Sequence, residues 1–290
     1  MNVNFDLVYN QPLAPLTSLR TGGYAEIFAS PDTPDALGTL ISSCRHTPVQ
    51  VLGGGSNIIV PDGTVSGLTV SLGKMASFRQ ISRCTAEIGA GYPLPKLLKT
   101  LRTLNLGGLE FAVGIPGTAG GAFLGNAGAG GHGFCELVDT VTALDSSGQL
   151  ITLERGQFTY GYRYCSLREM IVISMVMTFR DFEPEDAELL EFYRDKRRNQ
   201  PVSSRSAGCT FKNPEGHSAG KLLDECGCKG LSIGGAKVSE QHANFIINTG
   251  NASSSDVNSL IDLCAKKVYD STGIILEREI KTLSPCFYTR

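Results

Sequence analysis

Apolar residues recur at helical spacing in five segments of the chain. The clearest segment begins with Thr33, a residue type that favours the helix N-cap, and continues with Pro34, which suits the first turn. A second segment carries leucines on one face, and we expect Gly107 to end it. A third segment is strongly charged and stops before Pro201. The predicted helices span 33–44, 93–105, 185–199, 218–226 and 254–269.

Short apolar or alternating runs between these helices predict strands. The longest apolar run, 171–179, is far shorter than a membrane span and indicates a buried strand. The final run, 274–280, places Glu277 and Glu279 on one face, because side chains alternate along extended backbone. The other predicted strands end the segment 17–28 and span 49–52, 58–60, 67–72, 86–89, 137–144, 149–153 and 243–248.

Composition narrows the class of protein. The 290 residues are 41% hydrophobic and 19% charged, with a net charge of −2, which is typical of a soluble globular protein and gives no case for binding nucleic acid or membrane. No secretory signal is expected, because the N-terminal stretch lacks a basic region followed by an apolar one. Nine scattered cysteines favour reduced thiols and a cytoplasmic protein. Four distant histidines, and the one-residue gap between Cys226 and Cys228, give no pattern for a metal site.

Two glycine-rich segments lack the side chains needed to pack a core. Residues 114–131 contain eight glycines, and residues 53–57, GGGSN, stand between two predicted strands. Glycine lets backbone N–H groups approach a ligand closely, so both segments are candidate phosphate-binding loops, and a flexible linker is the alternative for the first. Residues 128–133 fit the pattern GxGxxG, but they neither follow a clear strand nor open a helix, so we assign no Rossmann fingerprint.

Positive charge is concentrated between Arg194 and Lys237. Nine Lys and Arg residues stand there against four Asp and Glu, and nine minus four gives a local net charge of +5. A segment with this balance suits an anionic substrate, whereas a solvated helix face accounts for 194–198. Arg20, two residues before Gly22, fits either a phosphate clamp or an exposed turn.

Several motifs occur in order along essentially the whole chain. They are Arg20-x-Gly22-Gly23, VLGGGSN at 51–57, GIPGTAGGA at 114–122, Asn126-Ala127-Gly128, GYRYCSLR at 161–168, AGCTFKNP at 207–214, the region 219–248 and LEREI at 276–280. Together they closely resemble the bacterial UDP-N-acetylenolpyruvoylglucosamine reductase family. The chain is similar to the shorter form of that family, because it lacks the long Tyr-bearing insertion of the other form.

The resemblance implies the fold and the reaction. The implied fold is α+β: an FAD-binding fold of the vanillyl-alcohol-oxidase (PCMH) type in two lobes, 1–73 and 74–183, with an α+β substrate domain, 184–290, whose final strand returns to the active site. The implied cofactor is non-covalent FAD, with NADPH as co-substrate. The implied activity is that of a UDP-N-acetylmuramate dehydrogenase, which reduces UDP-N-acetylglucosamine enolpyruvate during cytoplasmic peptidoglycan precursor synthesis. We expect a monomer.

Three residues match the family's catalytic positions. Arg163 corresponds to the arginine that stabilises the enolate, and Glu279 to the glutamate that assists it, with Glu277 as the second choice. Cys209 occupies the position of the proton donor, where many members of the family have serine. A thiol can also donate a proton, so the assignment stands with an open pH dependence.

The resemblance also implies binding residues. Those implied for FAD are Arg20, Gly53, Gly54, Gly55, Ser56, Asn57, Gly114, Ile115, Pro116, Gly117, Thr118, Gly120, Gly121, Ala122, Asn126 and Gly128. Those implied for the substrate are Tyr162, Lys212, Asn213, Lys229, His242 and Asn244.

Two other functions compete with this one. The first is another FAD-dependent oxidoreductase of the same superfamily that acts on a sugar or alcohol, with flavin tethered through His132 or Cys135. The second is a nucleotide-sugar sensor on an inactive scaffold, which predicts the loss of the catalytic groups. Arg163, Cys209 and Glu279 are all present, which argues against the sensor.

Overall fold

The computed structural model describes residues 6–44 and 46–288. Residues 1–5, part of the stretch in which no secretory signal is expected, lie outside the described residues. Within the described ranges, no helix combines the length and the apolar composition that crossing a bilayer requires.

The first lobe is built on a mainly parallel sheet. Its elements are β1 (Val8–Pro12), β2 (Tyr24–Ala29), α1 (Pro34–Ser43), β3 (Pro48–Leu52), β4 (Ile58–Ile59) and β5 (Thr64–Ser71). Strands lie in the order β1, β2, β5, β3, with β1 antiparallel to β2 and the other pairs parallel. The helix predicted over 33–44 is confirmed, because the Thr33 hydroxyl accepts the Ala36 N–H at 3.2 Å and caps α1. β1 was not predicted.

The second lobe contains an antiparallel five-stranded sheet. Its elements are β6 (Phe78–Gln80), β7 (Thr85–Gly89), α2 (Leu94–Thr103), β8 (Leu106–Gly107), α3 (Ala119–Leu124), β9 (Gly128–Ala129), β10 (His132–Gly133), β11 (Val138–Leu144), β12 (Leu150–Glu154), β13 (Tyr160–Gly161), β14 (Tyr164–Cys165), β15 (Ile171–Thr178) and β16 (Arg180–Asp181). The sheet order is β12, β11, β15, β7, β6. The predicted buried strand is β15, and residues 128–133 form the β9–β10 hairpin rather than a strand-to-helix turn.

Two predictions in this lobe are wrong. Gly107 does not end α2, because the helix stops at Thr103 and Asn105 makes the left-handed turn with φ +56°. The glycine stretch is not entirely loop, because it contains α3, although glycine is a poor helix former. The Thr118 hydroxyl caps α3 by accepting the Gly121 N–H at 3.4 Å, and Phe123 anchors it in the core.

The last region packs helices against a small antiparallel sheet. Its elements are α4 (Pro184–Arg198), β17 (Ser206–Cys209), α5 (Ala219–Glu225), β18 (Ser232–Ile233), β19 (Ala236–Val238), β20 (Phe245–Asn248) and α6 (Ser254–Thr272). The sheet order is β17, β20, β19, β18. The three predicted helices are confirmed, and α6 runs three residues beyond its predicted end to Thr272, where Gly273 with φ +73° caps it.

The end of the chain returns to the first lobe. The strand predicted over 274–280 is wrong, because that segment forms a single bridge, Phe211 to Arg278, instead of a ladder. It is held to the loop after β17 by the Glu279 N–H, which donates to the Thr210 carbonyl at 2.8 Å. The next residues form β21 (Lys281–Thr282), parallel to β4, and β22 (Phe287–Tyr288), antiparallel to β3.

The buried side chains group differently from the predicted domains. One apolar cluster joins α1 of the first lobe to the second lobe, and it includes Tyr193 of α4. A second cluster lies within 207–280 and takes in Leu19 and Ile59 of the first lobe. A third, smaller cluster lies in the first lobe and takes in Leu283 from the end of the chain. The boundaries at 73 and 183 therefore stay predictions, and the two lobes share the first of these clusters.

Candidate active site

The two glycine-rich loops touch each other across the floor of a cleft. A Cβ atom on Gly54 would lie 2.5 Å from the Gly117 Cα, and one on Gly117 would lie 2.7 Å from the Ser56 Oγ. The Ser56 hydroxyl donates to the Pro116 carbonyl at 3.4 Å. Any residue larger than glycine at 54 or 117 would push the loops apart, so this part of the cleft presents backbone rather than side chains.

The cleft has a volume of about 1490 Å³ and extends from the glycine loops to the last region of the chain. That volume exceeds the range of about 300–1,000 Å³ for ordinary small-molecule pockets, and it suits a dinucleotide together with a second ligand. All the predicted FAD-binding residues except Arg20 line it, and so do the three predicted catalytic residues. Tyr162 and Asn213 of the predicted substrate set also line it.

Arg163 is held in an unusual backbone conformation between β13 and β14. Its φ of +56° lies in the left-handed region, which residues other than glycine rarely adopt. Its Nε donates to Glu279 Oε1 at 2.7 Å, and its Nη2 donates to the Gly128 carbonyl at 2.9 Å. The hairpin is fixed from behind by Asn126, whose amide donates to the Gly161 carbonyl at 2.8 Å. Residues with left-handed backbone conformations often mark functional sites, and Arg163 in this conformation lines the cleft.

Glu279 is the buried member of the two candidate carboxylates. Its side chain is 15% exposed, against 71% for Glu277, which pairs with Lys212 at 2.5 Å instead. Burial raises the pKa of Glu279, and the positive charge of Arg163 opposes that rise. The Asn57 amide contacts the Glu279 carbonyl at 3.4 Å, so the GGGSN loop also positions this residue. The geometry favours Glu279 over Glu277.

Cys209 faces the same cleft from the end of β17. It follows Gly208, which adopts φ +79°, at an irregularity in the pairing of β17 with β20. Burial raises the pKa of the Cys209 thiol to about 12, and the negative charge of Glu279 adds to the rise. The thiol therefore remains protonated near neutral pH, which is the state of a proton donor.

Tyr162 links the hairpin to the substrate region. Its ring lies 5.1 Å from the Arg163 guanidinium, and its hydroxyl accepts the Asn213 N–H at 3.3 Å. The Asn213 side chain accepts the Ala219 N–H at 3.0 Å, just at the start of α5. This chain of contacts ties the position of Arg163 to the last region.

Five predicted binding residues do not line the cleft. Lys212 pairs with Glu277, and Lys229 pairs with Asp224 at 2.6 Å. The Asn244 amide is buried and holds both backbone groups of Phe211, at 2.9 and 2.8 Å. The other two residues bind nearby backbone. The Arg20 guanidinium donates to the Pro15 carbonyl, and the His242 ring accepts the Asn244 N–H.

Three cationic residues that are not among the predicted site residues line the cleft: Arg168, Arg197 and Lys281. Arg197 was interpreted as part of a solvated helix face, but it is half-buried and donates to the Val113 carbonyl at 2.5 Å. Its spacing from Leu190 and Tyr193, which are buried on the same helix, could have placed it on the inner face. Lys281 lines the cleft two residues after Glu279 and just beyond the predicted final strand, where no local signal of the sequence marks it.

The site offers nothing for a metal ion. Across residues 6–44 and 46–288, no group of three His, Cys, Asp or Glu side chains could hold one. The fit to FAD is better, because both glycine loops line the cleft and present little side chain there, which leaves room for the close backbone approach that a pyrophosphate requires. The residues that would hold it are those of the GGGSN loop and of 114–122.

Two family models match the chain. One, described as an FAD binding domain, covers residues 25–154 and therefore both glycine loops. The other, described as the C-terminal domain of UDP-N-acetylenolpyruvoylglucosamine reductase, covers residues 200–283 and contains Cys209 and Glu279. The class of protein is thus an FAD-dependent oxidoreductase, and its fold is the α+β FAD-binding type predicted from the sequence.

Full-length relatives define the family. The chain is 34% identical to a UDP-N-acetylenolpyruvoylglucosamine reductase of Clostridium botulinum, over 97% of this chain and 93% of that protein. It is 38% identical to one of Paramagnetospirillum magneticum, over 95% and 91%. The solved structure of the Thermus caldophilus enzyme superposes with a TM-score of 0.82 at 31% identity, over 97% of this chain and 99% of that one. The chain belongs to the UDP-N-acetylenolpyruvoylglucosamine reductase family.

Proposed function

We propose that this protein is an NADPH-dependent flavoenzyme that reduces UDP-N-acetylglucosamine enolpyruvate to UDP-N-acetylmuramate, a step of peptidoglycan precursor synthesis. Family membership over nearly the whole chain supports this function over a sugar or alcohol oxidoreductase of the same superfamily. The observation that carries it is the convergence of Arg163, Glu279 and Cys209 on one cleft. We place the enzyme in the cytoplasm, where the substrate is made, and expect it to act as a monomer.

The reaction adds a hydride and a proton across the enol-ether double bond. When bound, FAD supplies the hydride and is itself reduced by NADPH. Hydride addition at the terminal carbon places negative charge on the carbon next to the carboxylate and on the carboxylate oxygens. Two tasks then fall to the protein: stabilising that charge and delivering a proton.

Arg163 stabilises the enolate. Its guanidinium is oriented before the substrate arrives, since Glu279 and the Gly128 carbonyl fix two of its nitrogen atoms. A charge held in place in a partly desolvated cleft stabilises a developing anion without reorganising during the reaction.

Glu279 positions Arg163 and shapes the field around the substrate carboxylate. Its carboxylate touches the guanidinium directly, and its backbone is tied to both Thr210 and Asn57. Because Thr210 follows Cys209, the same segment sets the distance between the positive charge and the proton donor.

Cys209 delivers the proton to the carbanionic carbon. The raised pKa keeps the thiol protonated before the reaction, and the enolate is basic enough to accept its proton. Transfer leaves a thiolate beside Arg163 and Arg197, whose positive charges favour that form. Solvent then returns the proton for the next turnover.

The experiment that tests the function uses the purified protein. We expect visible flavin absorbance, bleaching by NADPH under anaerobic conditions, and recovery of the absorbance on addition of UDP-N-acetylglucosamine enolpyruvate. A protein that carries flavin but is not reoxidised by this substrate contradicts the proposal. Flavin that stays attached after denaturation would favour the sugar or alcohol oxidoreductase.

A further inference from the structure

Lys281 occupies a fixed position at the junction of the two halves of the cleft. Its N–H donates to the Asn57 carbonyl at 3.2 Å, and β21 pairs it with Ile58 in parallel register. Lys281 therefore lies beside the residue that comes directly after the GGGSN loop, although it belongs to the end of the chain. It is half-buried and lines the cleft.

The charged groups around Lys281 leave its ammonium without a carboxylate of its own. Arg168 and Lys212 act on it as like charges, whereas Glu279 and Cys165 act on it in the opposite direction. Glu279 is paired with Arg163, and Glu277 is paired with Lys212. Among the hydrogen bonds and ion pairs of the described residues, none involves the Lys281 ammonium.

This arrangement is unfavourable for the charged form of Lys281. Burial, together with the positive charges of Arg168 and Lys212, lowers the pKa of Lys281 to about 8. A partly desolvated cation with no ion pair of its own is unfavourable unless a negative group completes the site. Such groups accumulate where a protein binds a charged ligand.

We propose that Lys281 is an anion-binding residue for the acceptor substrate, and that its ammonium pairs with a carboxylate or phosphate oxygen of the nucleotide sugar beside Glu279. The inference rests on the proposed function, which supplies the anionic substrate. It adds a specificity-determining contact to the reaction. Arg168 and Lys212 then act as secondary charges that draw the anion toward this end of the cleft.

The test measures substrate binding to the oxidised holoenzyme through the change in flavin absorbance. Lys281→Gln is expected to weaken binding of UDP-N-acetylglucosamine enolpyruvate by about 10- to 100-fold, the range for loss of a charge-assisted hydrogen bond. Lys281→Arg keeps the charge and is expected to bind within about threefold of the wild type. Lys266→Gln, at an exposed lysine of α6 paired with Asp270, is the matched control and should bind normally.

The FAD content of the Lys281→Gln variant shows whether the anion bound by Lys281 belongs to the substrate or to the cofactor. The proposal requires that Lys281→Gln retain FAD at the wild-type stoichiometry. Loss of FAD with unchanged substrate affinity in the reconstituted variant would assign the contact to the cofactor and overturn the proposal. Unchanged binding of both would overturn it as well.

The pH dependence distinguishes Lys281 from its neighbours. Substrate affinity of the wild type should fall as pH rises through about 8, because the ammonium loses its proton there. An arginine side chain at position 281 keeps its charge over this range, and Lys281→Arg should therefore remove the decline. If ionisation of Cys165 caused it instead, Lys281→Arg would retain it, and the assignment would fail.

Failure of the proposed function is recognised separately. It would appear as a wild-type holoenzyme that does not bind the enolpyruvyl substrate at any pH. In that case the test uses inorganic pyrophosphate as the anion, and its binding is measured by the same change in flavin absorbance. Pyrophosphate binding that is lost in Lys281→Gln and kept in Lys281→Arg supports the anion site, and equal binding in all three proteins refutes it.

Discussion

The Nε of Arg163 donates to Oε1 of Glu279 at 2.7 Å, across 116 residues of sequence. Arg163 comes from a hairpin of the second lobe, and Glu279 comes from the segment that returns to the first lobe after the last helix. The pair therefore exists only when all parts of the chain are docked. Both side chains are less than a quarter exposed, and the positive charge of Arg163 opposes the rise that burial causes in the pKa of Glu279.

Glu279→Gln should slow reduction of the enolpyruvyl substrate by about 100-fold or more, because the guanidinium loses the charge that orients it. FAD should remain bound, since Glu279 meets the GGGSN loop through its backbone carbonyl. Stopped-flow measurement of NADPH oxidation and of flavin reoxidation separates the two half-reactions. Glu277→Gln removes an exposed carboxylate two residues away and is the matched control. Equal reoxidation rates in both variants would disprove the role of Glu279.

Cys209→Ser should retain most of the activity, whereas Cys209→Ala should lose about 100-fold, because a hydroxyl can donate a proton and a methyl group cannot. Burial places the pKa of Cys209 at about 12, so the thiol is protonated throughout pH 6–10 and should add no alkaline decline to the rate of substrate reduction. Cys226→Ala, at a thiol outside the cleft, is the control. Wild-type rates in Cys209→Ala would show that another group or water supplies the proton.

Gly54→Ala should abolish FAD binding, because the new Cβ would lie 2.5 Å from the Gly117 Cα and separate the two loops. The absorbance ratio of flavin to protein in the purified variant measures the effect. Gly156→Ala introduces the same methyl group where no heavy atom lies within 4 Å, and it should carry FAD normally. A fully loaded Gly54→Ala protein would rule out the loop contact as part of the cofactor site.

Asn244→Ala should lower the free energy of unfolding by about 2–4 kcal/mol, since it leaves the N–H and carbonyl of Phe211 buried without partners. Denaturant unfolding followed by circular dichroism measures this loss. Asn251→Ala, in an exposed turn, should cost little. A stable Asn244→Ala protein with a raised KM for the enolpyruvyl substrate would return Asn244 to the binding set implied by the family.

Tyr162→Phe should raise the KM for the nucleotide sugar by about 3- to 10-fold, because it removes the hydroxyl that accepts the hydrogen bond of the Asn213 N–H. Steady-state kinetics at saturating NADPH measure the change. Tyr164→Phe on the same hairpin is the control, because its ring, rather than its hydroxyl, contacts Arg168. Identical KM values for the two variants would show that the Tyr162–Asn213 contact does not support binding.

The helices and the long strands could be predicted from the sequence because their signals are local. Thr33 and Ser218 cap helices in the way their positions suggest, and 171–179 is apolar enough to be buried whatever surrounds it. The helix inside the glycine stretch could not be predicted, because its stability comes from the tertiary burial of Phe123 rather than from the helix propensity of its residues. The strand predicted over 274–280 is wrong for the opposite reason. Its residues alternate as in a strand, but its backbone hydrogen-bonds to the loop at Thr210.

The candidate site divides in the same way. The high glycine content of the two loops is visible in the sequence itself, so their place in the cleft could be predicted. The engagement of Lys212 and Asn244 could not, because it depends on which partner lies nearby after folding: Glu277 for one and the Phe211 backbone for the other. Lys281 was missed because a lysine after a short motif has no local signal of burial.

The return of the chain end has a consequence for synthesis on the ribosome. Both FAD loops and the Arg163 hairpin emerge more than 100 residues before Glu279 and Lys281, and domains fold in the order in which they appear. A nascent chain that ends before residue 279 lacks the carboxylate that orients Arg163, and it also lacks β21 and β22, the strands that pair with β4 and β3 of the first lobe. Completing translation is therefore itself the last step of building the active site.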